Sequence, residues 1–418
     1  MSRAEYSVAR STSRTAGTRP GFVFLYALAY AALWVALLTP VIVTLALKIQ
    51  QLAPARTAQQ ISLVFAVGAL IALVSNPLFG ALSDRTTSRF GRRRPWLIGG
   101  ILGGLVSLAI IGAAPNLTMV LVGWCIAQLA FNATLAAMVA VLPDQVPVEQ
   151  RGTVSGILGV CQPIGMVAGT YLVQMLASSV LLALVVPGVI GAIGVLLFAF
   201  TMKDPPLVAP ARATKSDFLN TYLIEPRRHP DFVWAWISRV FFVVGSCTLQ
   251  TYQPLYLMDR LGLVVAEIPQ LIFVSTLIGC GGIVIASALA GRWSDRIGRR
   301  KAFVFAGAAI YAIGLLFIAF ADSYGAFLIG IAITGIGQGT YVGVDLALFT
   351  DVLPHQQQDA AKDLGLVNVT NTLPQILAPA ISPLILTTSG DGYAVLFIAA
   401  AGLCLLGSLT IVPLKKVR

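Results

Sequence analysis

The chain has 418 residues, of which 57% are hydrophobic and only 11% charged, and its formal net charge is +11. A soluble domain carries about 25% charged residues, so this composition excludes a water-soluble protein and points to the lipid bilayer as solvent. The basic residues lie in short segments between apolar runs and not on one polar face. A nucleic-acid partner is therefore excluded as well.

The N-terminal stretch predicts a disordered cytoplasmic tail over residues 1–20, because it is basic and rich in serine and threonine. The apolar run that follows extends from Gly21 to about Leu47. It is longer than the roughly 7–15 residues of a signal-peptide core, so we expect a retained transmembrane helix.

Twelve apolar segments follow one another along the chain, and a helix of about 20 such residues crosses a bilayer. Their approximate spans are 22–46, 61–83, 95–114, 117–142, 153–177, 180–202, 231–257, 268–292, 301–321, 325–353, 364–388 and 392–414. The longest polar stretch between them separates six segments from six. We therefore predict a six-helix half over 21–202, a cytoplasmic linker over 203–230 and a second six-helix half over 231–418.

The distribution of basic residues predicts the orientation, since cytoplasmic loops carry the excess of Lys and Arg. If both termini lie on one side, that side holds 24 basic residues and the other holds three, namely Lys48, Arg56 and Arg260. Both termini are therefore expected in the cytoplasm. Arginine outnumbers lysine, a bias typical of GC-rich bacterial genomes, so we expect the plasma (inner) membrane of a bacterium.

The two halves are related in sequence. GALSDRTTSRFGRRRPWLIGG at 80–100 and GRWSDRIGRRK at 291–301 share a Gly-x-x-x-Asp element, displaced by 211 positions. VLPDQVPVEQRG at 141–152 and VLPHQQQDAAKDLG at 352–365 show the same displacement. Parallel six-helix repeats with a substrate site near the midplane between them are typical of one class of secondary transporters.

The repeated loop resembles the signature of the major facilitator superfamily. It comprises Gly80, Asp84, Arg85, Gly91, Arg92 and Arg93 in the first half, and Gly291, Asp295, Arg296, Gly298, Arg299 and Arg300 in the second. The resemblance covers essentially the whole chain. It implies an all-α integral membrane protein with twelve transmembrane helices in two six-helix halves, the major facilitator fold, working by alternating access.

Four extra residues at 86–89, together with Arg92-Arg93-Arg94-Pro95-Trp96, make the first loop similar to that of the sucrose–proton symporters and their glycoside–cation symporter relatives. The plant sucrose symporters carry an acidic residue in the first helix and an arginine in the fourth. Here no acid lies between Gly21 and Lys48, and no arginine lies in 117–142. The coupling residues of that family are therefore not transferred to this chain.

The parts of the signature predict a cytoplasmic gate. Gly80 would let a neighbouring helix approach closely. Asp84 could pair with nearby arginines or face the N-terminus of a partner helix. Such contacts would hold the two halves together in one state and break in the other. The alternative is that the arginines only fix the topology.

Two ionisable residues stand out inside apolar segments, where such residues usually mark functional sites. Arg239 lies eight residues after Asp231, and Asp345 lies nine residues before Pro354. Both should lie about 12–14 Å deep, so they could pair. An arginine keeps a neighbouring aspartate ionised, and its withdrawal would let the acid take up a proton. The alternatives are a static or gating ion pair, or no contact.

Polar and aromatic side chains at helical spacing mark one face of several segments. They are Tyr30 and Trp34 on the first, Gln128 and Asn132 on the fourth, Gln250 and Gln253 on the seventh, Gln338 and Tyr341 on the tenth, and Asn368, Asn371 and Gln375 on the eleventh. Amides facing lipid would be unpaired, so these should face the interior. The resemblance implies that helices 1, 4, 7 and 10 line the cavity. Amides with aromatic rings suit a sugar, and the alternative is helix–helix contact.

These observations predict a secondary active transporter that moves a sugar or glycoside by proton-coupled symport. The rival functions are proton-coupled export of hydrophobic or amphipathic compounds, and a receptor or scaffold without transport. No G-x-x-x-x-G-K-[ST] loop is present, which excludes a primary pump, and no enzyme constellation is visible. The expected partners are a small-molecule substrate, protons and the lipid bilayer. We expect a monomer without cofactor or metal.

Overall fold

The computed structural model describes residues 20–204, 230–352, 360–388 and 392–414. Their long helices are α1 (Pro20–Thr39, continued by a π-helical turn at Pro40–Thr44 and by Leu45–Leu52), α2 (Thr57–Asp84), α3 (Arg94–Ala113), α4 (Leu117–Gln145), α5 (Val148–Met175), α6 (Val180–Thr201), α7 (Pro230–Leu255, continued by a π-helical turn at Tyr256–Arg260), α8 (Ile268–Ile297), α9 (Arg300–Ala319), α10 (Tyr324–Val352), α11 (Ala360–Thr388) and α12 (Gly392–Leu409). The predicted tail and nearly all of the predicted linker lie outside the described residues.

Eleven helices in the described part of the chain are long and apolar enough to cross a membrane. The remaining candidate is α11, whose described apolar stretch, Thr372–Leu386, is shorter. All-helical architecture is therefore observed, and the twelfth span stays a prediction.

The helices pack in two sets with the same pattern. In the first set α1 packs against α5 and α6, α3 against α4 and α6, and α2 against α4. In the second set α7 packs against α11 and α12, α9 against α10 and α12, and α8 against α10. Every pair thus has a counterpart six helices later, as a parallel repeat requires. The two sets meet mainly where α2 packs against α11 and α5 against α8.

Helix α10 is held unusually close to its neighbours. Gly335, Gly339 and Gly343 recur every four residues and therefore lie on one face of the helix. A Cβ atom would lie 2.5 Å from the Gly279 carbonyl oxygen if placed at Gly335, and 2.7 Å from the Ser287 carbonyl oxygen if placed at Gly343. The backbones of α8 and α10 are therefore nearly in contact, as small residues at this spacing permit. This contact fixes the height and rotation of α10.

The two ends of the bundle differ in their loops. We call the end with loop 85–93 and residues 202–204 the basic face, and the end with loops 53–56 and 261–267 the opposite face. Near the opposite face, side chains of the two halves touch. The hydroxyl oxygens of Ser62 and Tyr252 lie 2.5 Å apart, and the ring centroids of Tyr171 and Phe273 lie 5.3 Å apart.

The α8–α10 contact predicts different effects on stability for two glycine-to-alanine substitutions. Gly339→Ala should destabilise the fold by roughly 1–3 kcal/mol, because the new Cβ would lie 2.8 Å from the Ile283 Cα in a place where backbone must move. Gly281→Ala on α8 is the control, since nothing lies within 4 Å of its added Cβ. That control should be neutral or stabilising, because alanine favours helix. Thermal unfolding in detergent measures both, and equal melting temperatures would contradict the close contact.

Candidate functional site

The predicted contact between Arg239 and Asp345 is observed. Arg239 on α7 donates from Nη1 to Asp345 Oδ2 on α10, and the two side chains are only 16% and 6% exposed. Tyr341 lies one turn before Asp345 on the same helix and is buried. The Tyr341 ring stacks on Phe242, with centroids 3.8 Å apart and planes 4° from parallel. The pair is therefore largely shielded from water between α7 and α10.

This burial ties the two charges to each other. Removing one partner of a buried ion pair typically costs about 3–5 kcal/mol, because the other charge is left without compensation. A movement that separates Arg239 from Asp345 must therefore supply another partner to each group, or a proton to the carboxylate. The arrangement is suited to exchanging a proton when the helices move.

A cavity of about 60 Å³ lies among α7, α8 and α10, and we call it the amide cavity. Gln250, Gln253 and Gln338 line it, together with Ile42 and Met166 from the first half. Gln253 Nε2 donates to Ser275 Oγ at 2.6 Å. The side chains of Gln250 and Gln338 make no hydrogen bond to other described residues, so their amides are available to a ligand. The cavity has room for only about two water molecules and must widen to admit a solute.

A larger cavity of about 230 Å³ lies among α1, α4 and α5, and we call it the aromatic cavity. Tyr30, Trp34, Ser155 and Gln162 are among its lining residues. The rings of Tyr30 and Trp34 meet edge to face, with centroids 5.9 Å apart. Ser155 and Gln162 were not predicted from the sequence. Their spacing of seven residues on one helix face was the signal that could have found them.

Three further predicted residues, Gln128, Asn132 and Tyr341, lie outside both cavities. Asn132 is buried, accepts from Asn76 Nδ2 at 3.2 Å and donates to the Gln128 carbonyl oxygen at 2.8 Å. These amides satisfy one another between α2 and α4 and line neither cavity. Tyr341 is 2% exposed and lies against the ion pair, outside both cavities.

Two of the three residues predicted on α11 have side chains outside the described part of the chain. The backbone of the helix is described, but the side chains of Asn368 and Asn371 lie outside the described residues. Gln375 is exposed.

Arg93 is the centre of an ion-pair network on the basic face. Its side chain is 4% exposed and donates to Asp84 Oδ1 at 2.5 Å, Ser83 Oγ at 2.8 Å and Asp144 Oδ2 at 2.9 Å. Arg92 pairs with the same Asp144 at 2.6 Å. Of the two alternatives for Asp84, pairing with nearby arginines is the one observed. These contacts all lie within the first half.

Asp204 joins the signature loop to the start of the linker region, a link that the sequence analysis missed. Its Oδ2 accepts from the backbone N–H groups of Arg93 at 2.7 Å and Arg94 at 2.8 Å, and so caps the N-terminus of α3. Gly91 makes this approach possible. It has φ of +108°, and a Cβ there would lie 2.5 Å from the Asp204 carbonyl oxygen.

In each half a basic side chain donates hydrogen bonds to backbone carbonyl groups just after the last helix. Arg94 Nη2 donates to the Met202 carbonyl oxygen at 2.6 Å, just after α6 ends. In the second half Lys301 Nζ donates to the carbonyl oxygens of Val412, at 3.2 Å, and Leu414, just after α12 ends. A cation is favourable at the C-terminal end of a helix.

The other signature residues show what each loop presents to solvent. Arg85, Arg296 and Arg299 are exposed and Arg300 is half-buried, while the side chain of Asp295 lies outside the described residues. Gly298 ends α8 in the left-handed conformation, with φ of +68°.

Gly80 was expected to let a neighbouring helix approach closely, and the described part of the structure shows no such neighbour in this conformation. No described atom lies within 4 Å of a Cβ placed there, because α2 has open space beside it at this height. At the equivalent Gly291 a Cβ would lie 3.4 Å from the Gly343 carbonyl oxygen.

The network predicts that Arg93→Ala lowers stability by about 2–3 kcal/mol, since hydrogen bonds between charged groups each contribute about 1.5–3 kcal/mol and Asp84 can be solvated once released. The control is Arg89→Ala on the same loop. Arg89 is exposed and its guanidinium lies 4.9 Å from the Phe90 ring centroid, a contact of about 0.5–1 kcal/mol. Melting temperatures of the purified variants compare the two. A loss for Arg93→Ala no greater than for Arg89→Ala would contradict the network.

The family model and a curated relative that match this chain name the same family. The family model described as Major Facilitator Superfamily matches residues 22–289 and 281–417. A curated relative, an uncharacterized MFS-type transporter of Mycobacterium tuberculosis (strain CDC 1551 / Oshkosh), is 26% identical over 279 residues, covering 65% of this chain and 58% of the relative. The tetracycline resistance protein, class C, of Escherichia coli is 27% identical over 282 residues, covering 63% of this chain and 65% of that protein. The match thus spans less than two thirds of either relative.

Among solved structures, the fold is similar to that of a mutant form of the nucleoside transporter NupG. The TM-score is 0.75 at 13% sequence identity, with 94% of this chain and 100% of that chain covered. At this identity the similarity concerns the fold alone.

Proposed function

The chain belongs to the Major Facilitator Superfamily, and we propose that it couples the movement of a solute to protons through the Arg239–Asp345 pair. Membership and the apolar helices make it a multi-pass membrane transporter of a small molecule, not an enzyme. The observation that supports proton coupling is the burial of a paired guanidinium and carboxylate between α7 and α10.

The proposed cycle follows from the cost of separating the pair. With Arg239 bound, Asp345 is ionised and the site is neutral overall. When cargo binding or helix movement draws Arg239 away, the carboxylate takes up a proton, because an uncompensated buried charge is unfavourable. The return of Arg239 then drives the proton off on the other side of the membrane.

The proposed cargo is an uncharged sugar or glycoside. Among the described residues, no charged side chain lines either the amide cavity or the aromatic cavity. The unengaged amides of Gln250 and Gln338 can donate to and accept from hydroxyl groups, and Tyr30 and Trp34 offer ring faces. Burying polar groups of the cargo is favourable only where they find such partners.

Export of amphipathic compounds is the second candidate. It is favoured by the relative named as a tetracycline resistance protein, and by the apolar share of the amide cavity lining, which includes Ile42, Met166 and Leu249. The same ion pair would then work in antiport.

The proposed orientation places the basic face in the cytoplasm of a bacterium, with both termini on that side and the chain acting as a monomer. The support is the excess of basic residues in the loops and termini assigned to that side.

Asp345→Asn should abolish proton-driven accumulation and spare exchange of labelled cargo across the membrane, because the uncharged amide imitates the protonated carboxyl group and cannot release a proton. Asp322→Asn is the matched control, since Asp322 is 89% exposed in the loop before α10. Uptake and counterflow in proteoliposomes measure the two activities. Accumulation by Asp345→Asn at the level of the control would exclude the coupling role.

The direction of proton movement separates the two candidate functions. Proteoliposomes with a pH dye inside receive either a panel of sugars and glycosides or tetracycline from outside. Symport predicts acidification of the lumen by a member of the sugar panel. Antiport predicts alkalinisation by the drug. A response that persists in Asp345→Asn would show that protons cross elsewhere.

A further inference from the structure

The two cavities lie at different heights along the same helices. On α5, Ser155 and Gln162 line the aromatic cavity, and Met166 lines the amide cavity. At 100° per residue these three side chains lie within about 40° of one another, and they span about 16 Å along the axis. Helix α1 likewise contributes to both cavities, through Trp34 and Ile42. A continuous surface therefore leads from the amide cavity towards the basic face.

Two polar side chains that line the aromatic cavity have no hydrogen-bond partner among the described residues. The side chains of Ser155 and Gln162 are exposed and make no hydrogen bond to other described residues. The neighbouring Tyr26 differs, because its hydroxyl donates to the Met138 carbonyl oxygen at 2.7 Å. An unpaired amide facing lipid would be strongly unfavourable. Gln162 therefore faces water or a ligand in the cavity.

The height of this cavity matches that of the ion pair. Tyr30 lies about 15 Å along α1 from Pro20, and Arg239 lies about 14 Å along α7 from Pro230, both measured from the basic face. The amide cavity is deeper, since Gln250 lies about 30 Å along α7. A ligand in the aromatic cavity would therefore sit level with Arg239 and Asp345.

We propose that the aromatic cavity is a second cargo site, separate from the amide cavity and nearer the basic face. It binds an uncharged molecule that has a ring face and hydrogen-bonding groups. The ring face packs on Tyr30 and Trp34, and a hydroxyl or amide of the ligand bonds to Gln162. The proposal rests on the proposed transport function but not on its coupling to protons.

The lining also defines what the site rejects. The described residues of the lining include no charged side chain, and an ion transferred there would lose its hydration without gaining a partner from them. In this conformation the aromatic cavity, at about 230 Å³, has room for a ring that the amide cavity, at about 60 Å³, does not. Cargo would therefore occupy the aromatic cavity while the amide cavity is closed.

Site-directed thiol labelling tests this site without any gradient. Gln162→Cys should react with a membrane-impermeant maleimide, because water in the cavity lets the thiolate form. Ile164→Cys is the matched control on the same helix, where the native side chain is 53% exposed and points about 160° away from Gln162 around the helix axis. The wild-type chain, with its five free cysteines, gives the background. Equal labelling of the two variants would overturn the water-filled cavity.

Ligand protection tests the chemistry and the separateness of the site. The probes are 4-nitrophenyl β-D-glucopyranoside, the corresponding galactoside and uridine, and at least one should slow labelling of Gln162→Cys. Adding Trp34→Leu should raise the protecting concentration by about tenfold, through loss of ring contact, while adding Gln250→Ala should leave it within about twofold. Tyr30→Leu serves the same purpose if Trp34→Leu does not fold.

Protection by none of the probes would overturn the proposed ligand class. An equal loss for Gln250→Ala and Trp34→Leu would show a single site and overturn the second one. The result does not depend on proton-driven accumulation, because labelling and its protection are measured without any gradient.

Discussion

A single buried ion pair constrains the centre of this protein. Arg239 and Asp345 are nearly inaccessible, and each compensates a charge that the apolar surroundings would otherwise make costly. The structure around them holds the pair in place. Close glycine contacts fix α10 between α8 and α9, and Tyr341 stacks on Phe242 beside the carboxylate. In the proposed cycle this site changes its charge state only when helices move, which links protonation to conformation.

The two halves share a framework but differ in chemistry. Their helix pairs pack in the same order, and each half clasps the carbonyl end of its last helix with a cation, Arg94 in one and Lys301 in the other. The side chains that face the interior have diverged. The first half contributes the rings of Tyr30 and Trp34 and the ion-pair network around Arg93. The second half contributes the Arg239–Asp345 pair and the amides of Gln250 and Gln338. Under the proposed function, the repeated framework provides the motion, and the diverged faces provide binding and coupling.

Hydropathy was sufficient to predict the helices, and counting residues from the helix ends placed Arg239 and Asp345 at equal depth, where they could pair, because both depend on distance along regular helices. Contacts between distant parts of the chain were not predictable in this way. Asp204 caps α3 from a stretch without helical periodicity, 110 residues after Arg94. Helical spacing correctly placed Asn132 in the interior, but it could not show that neighbouring amides already satisfy its hydrogen bonds. Periodicity identifies a face of a helix, whereas only packing identifies what that face touches.

The central claim is that Asp345 changes its protonation state as Arg239 moves. Infrared difference spectroscopy of the reconstituted protein tests it most directly, by comparing the C=O stretch of a protonated carboxylic acid with and without bound cargo. The account predicts that this band changes on cargo binding in the wild type, and that the change is absent in Asp345→Asn and retained in Asp322→Asn. A band change that persists in Asp345→Asn, or a wild-type carboxylate that stays ionised in both states, would contradict it.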